Sequence, residues 1–574
     1  MFYVWLGALA ILGGTWAFFL PLALNSGFNK NDDGPVLRQL LIYATGGLLG
    51  AITLGETRRK NDQEHMRQIH AERRARYAKA VEQLADEKAP IRLGGVYTLV
   101  KLVDDWLDDE KTLPSKDERR QEGQIIVNSL CAYIRSSFPL AERHDELTLS
   151  YEEYQQNCQG NQGKNRATQS VENSANNSTP KAGEHQDNKQ PNQPREKFVR
   201  EKSLFIEEQE VRQTILSEIE KRLNGGTTKN KDGRDEIKPG TWSYFEYDFS
   251  NAVFFYDVDF EEVNFSGEII SFFAATFTQQ ANFPKTQFSE DVNFINTTFK
   301  DTVKFSEAKF LKDANFSNFS GLTDYSQKYI TLRDDALMAV FEKKADFSKA
   351  EFKHKANFSC VKFSSSKEIN DKNMETSFSG AIFNKADFSE AEFGTEPSTR
   401  PTSFTGAVFE KAACFKKTKF KENTIFTNSI FKTDADFCGA FFDIDSINFN
   451  YTIFMKNTDF SFSEFYYAKF REVIFVQDTD FSGATFQRDP HFNNTIFAKN
   501  NNFSRLNFKI FAHTINFHKA IFVYDAENKF DSKIATAKQN NTIIPKNALI
   551  LESKILERIL KRHLSCPGLV LQKN

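Results

Sequence analysis

The side chains able to do acid–base, nucleophilic or metal chemistry are dispersed along this chain. Of the nine histidines, the group in closest sequence proximity within the Phe-rich half is His491, His513 and His518, and no cysteine or carboxylate completes a ligand set around them at usual spacing. The six cysteines, Cys131, Cys158, Cys360, Cys414, Cys438 and Cys566, form no C-x-x-C and no repeated interval. They read as free thiols of a reducing compartment. Asp291, Asp313, Asn423, Asp434, Asp445, Asp478, Asp489 and Asn500 recur at regular intervals, which suits turn formers better than a clustered calcium site. No phosphate loop, nucleophile elbow or dinucleotide fingerprint is present, and Gly94-Gly95 falls on a helical pattern. The expectation is a protein with no catalytic residue, no cofactor-binding residue and no metal ligand.

The elements that carry these residues fall into two kinds. The 574 residues have a formal net charge of −3, which excludes a global grip on nucleic acid. Phe occurs 59 times against 16 Tyr and 4 Trp, and 52 of those Phe lie between Phe245 and Phe530. The Phe-poor part must therefore be built on another plan.

Val4 to Leu24 is a run of 21 residues without a charge, enough for a helix across a hydrocarbon core of about 30 Å. A second run, Leu40 to Leu54, reaches spanning length if Val36 and Leu37 join it and Arg38 snorkels. Residues 1–55 are thus expected to form a transmembrane hairpin, with Ala10/Gly14 and Gly46/Gly50 as small-residue pairs for close helix packing. Beyond it, Arg58, Arg59, Lys60, Arg67, Arg73, Arg74, Arg76 and Lys79 outnumber Asp62, Glu64 and Glu72. The positive-inside rule then puts the bulk of the chain in the cytoplasm, as a two-pass protein of the cell membrane whose basic helix meets lipid headgroups.

Glu56 to Leu84 lacks Pro and Gly and should continue as a helix. Leu93, Val96, Tyr97, Val100, Val103 and Leu107 form one apolar face, and Ile126, Leu130, Tyr133, Ile134 and Phe138 another. From about Gln155 to Arg195 the composition is too polar to bury a core and reads as a disordered linker. Val211, Ile215, Ile219 and Leu223 resume the helical spacing, so the insertion is expected to interrupt one α-helical adaptor spanning 56–230. The segment Arg76 to Leu84 followed by Ile91 to Leu99 resembles the helical segment that precedes the repeats in a group of bacterial membrane pentapeptide-repeat proteins.

Between 241 and 530 the sequence repeats. Windows of eleven read ANFPKTQFSED from Ala281, VNFINTTFKDT from Val292 and VKFSEAKFLKD from Val303, and the frame returns from Ala413 and from Ala468. Phe holds the third and eighth positions. A small or β-branched residue stands two before each Phe with a polar residue between, which describes a short extended side ending at a corner. Asp or Asn at the eleventh position is expected to relax every second corner through left-handed backbone. The unit A-D/N-F-x-x, seen at Ala345, Ala356 and Ala386, resembles the pentapeptide-repeat family. That resemblance implies a mainly β fold, a right-handed quadrilateral β-helix. Insertions near 320–340, 364–376 and 394–402 interrupt it. A solenoid needs covered ends, and the apolar face from Leu549 to Leu564 predicts a capping helix over Asn547–His563 within the C-terminal segment 531–574.

These features point to a non-catalytic, membrane-anchored scaffold that presents its β-helix to a protein partner, with oligomerisation open and nucleic acid not expected. The alternative, implied by the same resemblance, is a DNA mimic that binds or protects a type II topoisomerase. Phe245 to Phe530 carries about −7, mostly between Glu246 and Glu268, and holds a basic patch at Lys411, Lys416, Lys417, Lys419 and Lys421. A duplex mimic needs a longer and more regular negative stripe.

Overall fold

The computed structural model describes residues 2–24, 34–157, 193–229, 233, 235–318, 339–363, 376–394, 401–443, 446–512, 514–523, 528–530, 536–539, 542–545 and 548–551. The predicted linker and the three insertions in the repeats, apart from a few residues at their edges, and the chain beyond 551 lie outside these.

Helix α1 (Phe2–Ala23) and helix α2 (Gly34–Leu84) are both long and apolar enough to cross a membrane, α2 over its first part. The 51 residues of α2 form one helix, about 75 Å long at 1.5 Å per residue, so the expected span and the basic segment after it are continuous. Large apolar side chains such as Trp5, Ile11, Phe19, Leu40 and Ile42 point outward, as a lipid-facing hairpin requires. The close contact between the two helices differs from the predicted one. A Cβ at Gly14, Gly46 or Gly50 would meet nothing within 4 Å, whereas one at Gly13 would collide with the Thr45 side chain. The sequence holds several small-residue pairs of equal spacing, and the rotation of the helices selects among them. Arg38 lies over the Phe18 ring at 5.4 Å to its centroid.

The second half of α2, α3 (Ala89–Leu107), α4 (Lys116–Arg135) and the helix Gln193–Leu223 pack into one body. Its core holds Val96, Val100, Val103, Ile126, Leu130, Ile134, Val211, Ile215, Ile219 and Leu223, all buried. Tyr97, expected on the buried face, is exposed. Gly95 explains the motif at 76–99: a Cβ there would stand 2.8 Å from the Ala80 carbonyl, so glycine allows α3 to cross α2 closely. Tyr151 and Tyr154 pack on Phe198 at 5.5 and 4.7 Å, which brings the two flanks of the 158–192 segment together.

The repeats form a β-solenoid of about ten turns. Most turns are built from two-residue strands on four sides, and each strand pairs in parallel with its equivalent one turn later, as Val292 with Ala314 and Gln287 with Lys309. The central Phe residues fill the interior. Phe272, Phe294, Phe316 and Phe358 stack face to face at 4.7–4.9 Å with interplanar angles of 0–5°, while rings from adjacent sides meet edge to face, as Phe294 and Phe305 do at 5.5 Å. The strand separation fixes the stacking distance. The inward position is mostly Ala, Val or a hydroxyl residue, and several buried hydroxyls donate to main chain: Thr297 to the Phe272 carbonyl at 2.7 Å and Thr418 to that of Phe388 at 2.7 Å.

The corners differ from the expectation. Left-handed backbone falls two residues after the first Phe of each eleven, at Lys285, Asn296, Glu307, Lys417, Asn428, Tyr451, Phe462 and Glu472. The eleventh residue instead bridges turns: Asp291 Oδ1 accepts the Asp313 amide at 2.9 Å and Asp434 Oδ1 the Asn457 amide at 3.1 Å. A polar side chain that satisfies an orphan amide serves the corner without reversing its own backbone.

At the N-terminal end the helical body covers the first turn. Phe138 stacks on Phe255 at 5.3 Å, and a Cβ at Gly123 would lie 2.7 Å from the Phe245 ring. At the other end, Leu549–Leu551 is a strand paired in parallel with Ile521–Val523, not the start of the predicted capping helix. An edge amide row offers ladder bonds that a helix cannot replace. The remainder of that predicted helix lies outside the described residues.

Candidate interaction surface of the solenoid

The polar residue before each central Phe faces outward, and parallel pairing stacks these residues into columns. One column runs Asp248, Ser271, Asn293, Asn315, Asn357, Asp387, Cys414, Asp436, Asp459, Asp480, Asn502 and Lys529. Most of its side chains accept the amide two residues on, as Asp387 does from Ser389 (3.1 Å), Asp459 from Ser461 (2.7 Å) and Asn502 from Ser504 (3.2 Å). That local turn is why Asp, Asn and Ser recur there. Only Asp436, Asp459 and Asp480 are consecutive carboxylates.

On other faces several outward charges pair across turns. Glu262 pairs with Lys285 at 2.5 Å, Glu307 with Lys349 at 3.4 Å, Asp301 with Lys343 at 3.0 Å and Glu410 with Lys432 at 2.7 Å, each one turn apart. Two of the five lysines of the predicted basic patch are paired in the same way. Lys421 pairs with Glu392 and Lys417 lies 3.6 Å from Glu390. Burial disfavours ionisation of Asp313, yet His354 and the Lys355 amide hold its carboxyl below the ordinary value.

The run 434–502 is different. A groove of about 450 Å³ is lined by Asp434, Asp436, Asp459, Asp478 and Asp480 with Asn457, Asn500, Asn501, Asn502 and Lys529. Among the described residues none of the five carboxylates forms an ion pair. Each gives one oxygen to a backbone amide, which leaves the other outward. Asp436, Cys438 and Asp459 bring their ligand atoms within 4.8 Å of one another, and Ser461 Oγ donates to Cys438 Sγ at 3.4 Å. Two carboxylates and one thiol of mixed hardness, with the carboxylates already engaged by main chain, are not a complete ligand set for one metal.

The sequence reading missed this cluster because its members stand some twenty residues apart and become neighbours only once the coil length is known. His491 and His518 are not brought into a ligand set: His491 sits in a column with Lys469 and Asn516, edge-on to Tyr467 at 5.5 Å, and His518 lies in the turn that Asn516 opens, its amide donating to the Asn516 side chain. His513 lies outside the described residues. Cys131 is buried in the helical body, where burial pushes its thiol up to about 12, so it is not a nucleophile at neutral pH. The described cysteines form no disulfide.

No curated protein and no solved structure is similar enough to match the chain. Residues 404–446 match the family model for pentapeptide repeats, with nine copies of the repeat. The same stacked Phe, inward small residue and left-handed corner continue through the turns on both sides of that segment. The solenoid thus carries pentapeptide repeats, and it follows an N-terminal helical body.

Proposed function

We propose that the protein is a non-catalytic scaffold, anchored in a membrane by α1 and the first part of α2, that presents its solenoid to a protein partner. The observation that carries this reading is the continuity of α2. One helix runs from the candidate span into a body whose α4 and Gln193–Leu223 helices pack on the first turn of the solenoid. A rod held this way stands at a set angle to the bilayer and displays long flat polar faces, the use to which solenoids are suited.

The basic part of α2 divides into two. Arg73, Arg74 and Arg76 turn to Asp109, Glu122 and Asp105 of the helical body, whereas Arg58 and Arg59 stand nearest the span, at the level of anionic headgroups. The same basic excess favours a cytoplasmic solenoid. The topoisomerase-binding reading is weaker, because three consecutive carboxylates in one column do not make a duplex-length negative stripe. Protease access decides the anchor and its orientation. Cleavage between 155 and 195 in inside-out vesicles, with protection in intact cells, is expected; cleavage in intact cells would invert the topology.

A further inference from the structure

The 434–502 groove gathers five carboxylates that form no ion pair among the described residues, three of them consecutive in one column. Stacked strands set the column Asp436, Asp459 and Asp480 at about 4.8 Å intervals, so these groups repel one another unless a cation lies across them. Two further features mark the same place. Asn501, 2% exposed, lines the groove, and its side-chain oxygen meets no donor among the described residues. Phe462, at the corner that follows Asp459, is 67% exposed and has φ of 55°. The equivalent corners one turn away on either side are Gly439 and Gly483, and a Cβ at Gly483 would lie 2.8 Å from the Phe462 ring. An aromatic side chain in left-handed backbone is strained, and two thirds of this one stays open to solvent.

We infer that the groove and the Phe462 edge bind an extended basic segment of a partner protein, one that carries at least two arginines. The inference rests on the scaffold reading, whose partner it describes. A guanidinium is flat, so it can take outward carboxylate oxygens with its N–H groups and lay its face on the Phe462 ring. A lysine ammonium makes the charge contact without the stacking. A nucleic acid backbone is repelled by the same five carboxylates.

The test uses the full chain in detergent micelles with fluorescent hexaarginine, hexalysine and hexaglutamate peptides, read by anisotropy. Hexaarginine is expected to bind and to weaken with salt, hexalysine to bind less tightly, and hexaglutamate not to bind. Replacing Asp436, Asp459 and Asp480 together by Asn should weaken hexaarginine by about tenfold or more. The fold should persist, because Asn357, Asn448 and Asn502 already accept the same turn amide. Phe462→Ala should narrow the arginine-over-lysine preference, and Glu261→Gln with Glu268→Gln on the first turns should change nothing. Undiminished binding by the triple variant, or loss of binding in the Glu261/Glu268 variant, overturns the assignment. Crosslinking in cells separates the two readings: partners captured equally by wild type and triple variant leave the scaffold standing and remove the groove. Intact peptide binding with no protein captured removes the scaffold reading alone.

Discussion

The rings of Phe294 and Phe316 lie 4.8 Å apart and parallel, one turn of the solenoid from each other. That relationship repeats along the rod and makes each Phe both the core of its own turn and the floor of the next. Phe388 has such a neighbour on either side, Phe358 and Phe415, both at 5.0 Å. Phe388→Ala should cost about 3–5 kcal/mol, and Phe388→Leu should keep most of the stability because it keeps most of the volume. Hydrogen exchange should show protection lost mainly in the turns that touch residue 388, since a solenoid couples nearest neighbours. Uniform loss along the rod would contradict this.

The Phe ladder was legible in the sequence because period and burial coincide: a Phe at positions three and eight of every eleven can only be stacked one way. So were the apolar faces of α3 and α4 and the resumption at Val211, which follow the helical period. What stayed hidden depends on geometry between distant residues. Gly13 against Thr45 depends on helix rotation, which small-residue spacing does not fix. Phe462 gave no sign of occupying a left-handed corner, because position, not residue type, sets that backbone. The acidic groove required the length of each coil, and the cover on the first turn required knowing that Arg135 reaches Asp248.

The cover should depend on a buried charge pair. Arg212, 2% exposed, donates to Glu208 at 2.7 Å and to the carbonyls of Ile134 and Ser136 at 2.7 and 2.9 Å, with Phe255 of the first turn 5.5 Å beneath it. Glu208 also accepts from the Tyr133 hydroxyl at 2.9 Å, and burial together with that carboxylate raises the Tyr133 pKa. Glu208→Ala leaves a buried guanidinium without its anion and should cost about 3–5 kcal/mol. Limited proteolysis should then cut within the first turn around residues 245–260. Replacing Arg212 and Glu208 together by Met and Leu should recover much of the loss.

A pH response should reside where α2 meets the helical body. Burial disfavours the Asp109 carboxylate, but the Thr112 side chain and amide and the Arg73 guanidinium outweigh it and hold the group at about 2. His70 faces the same site through Thr112 at 3.0 Å, and Arg73 lies over Trp106 at 4.6 Å. Because the folded pKa is below the ordinary 3.8, the contribution is complete above about pH 4 and disappears as pH falls through about 2. Asp109→Asn should destabilise the helical body at neutral pH by on the order of 1–2 kcal/mol after solvent screening. The difference between wild type and variant should shrink between pH 4 and 2, as measured by thermal melting followed by circular dichroism. A constant difference across that window would remove the carboxylate from the account.

The N-terminal helix pair offers a sharper contrast, because two glycine sites with similar sequence surroundings have opposite roles. Gly13 has no room for a side chain beside Thr45, while Gly46 has open space around it. Gly13→Leu should therefore separate α1 from α2, and Gly46→Leu should leave the pair intact. Titrating the protein from mild detergent into SDS, with helix content and tryptophan emission as readouts, should show Gly13→Leu unfolding at a lower SDS fraction than wild type. Trp5 and Trp16 lie on α1 and report on it directly. The reverse order, with Gly46→Leu the more damaging, would mean that the face carrying Gly46 and Gly50 is the packed one, and that helices from two chains meet there.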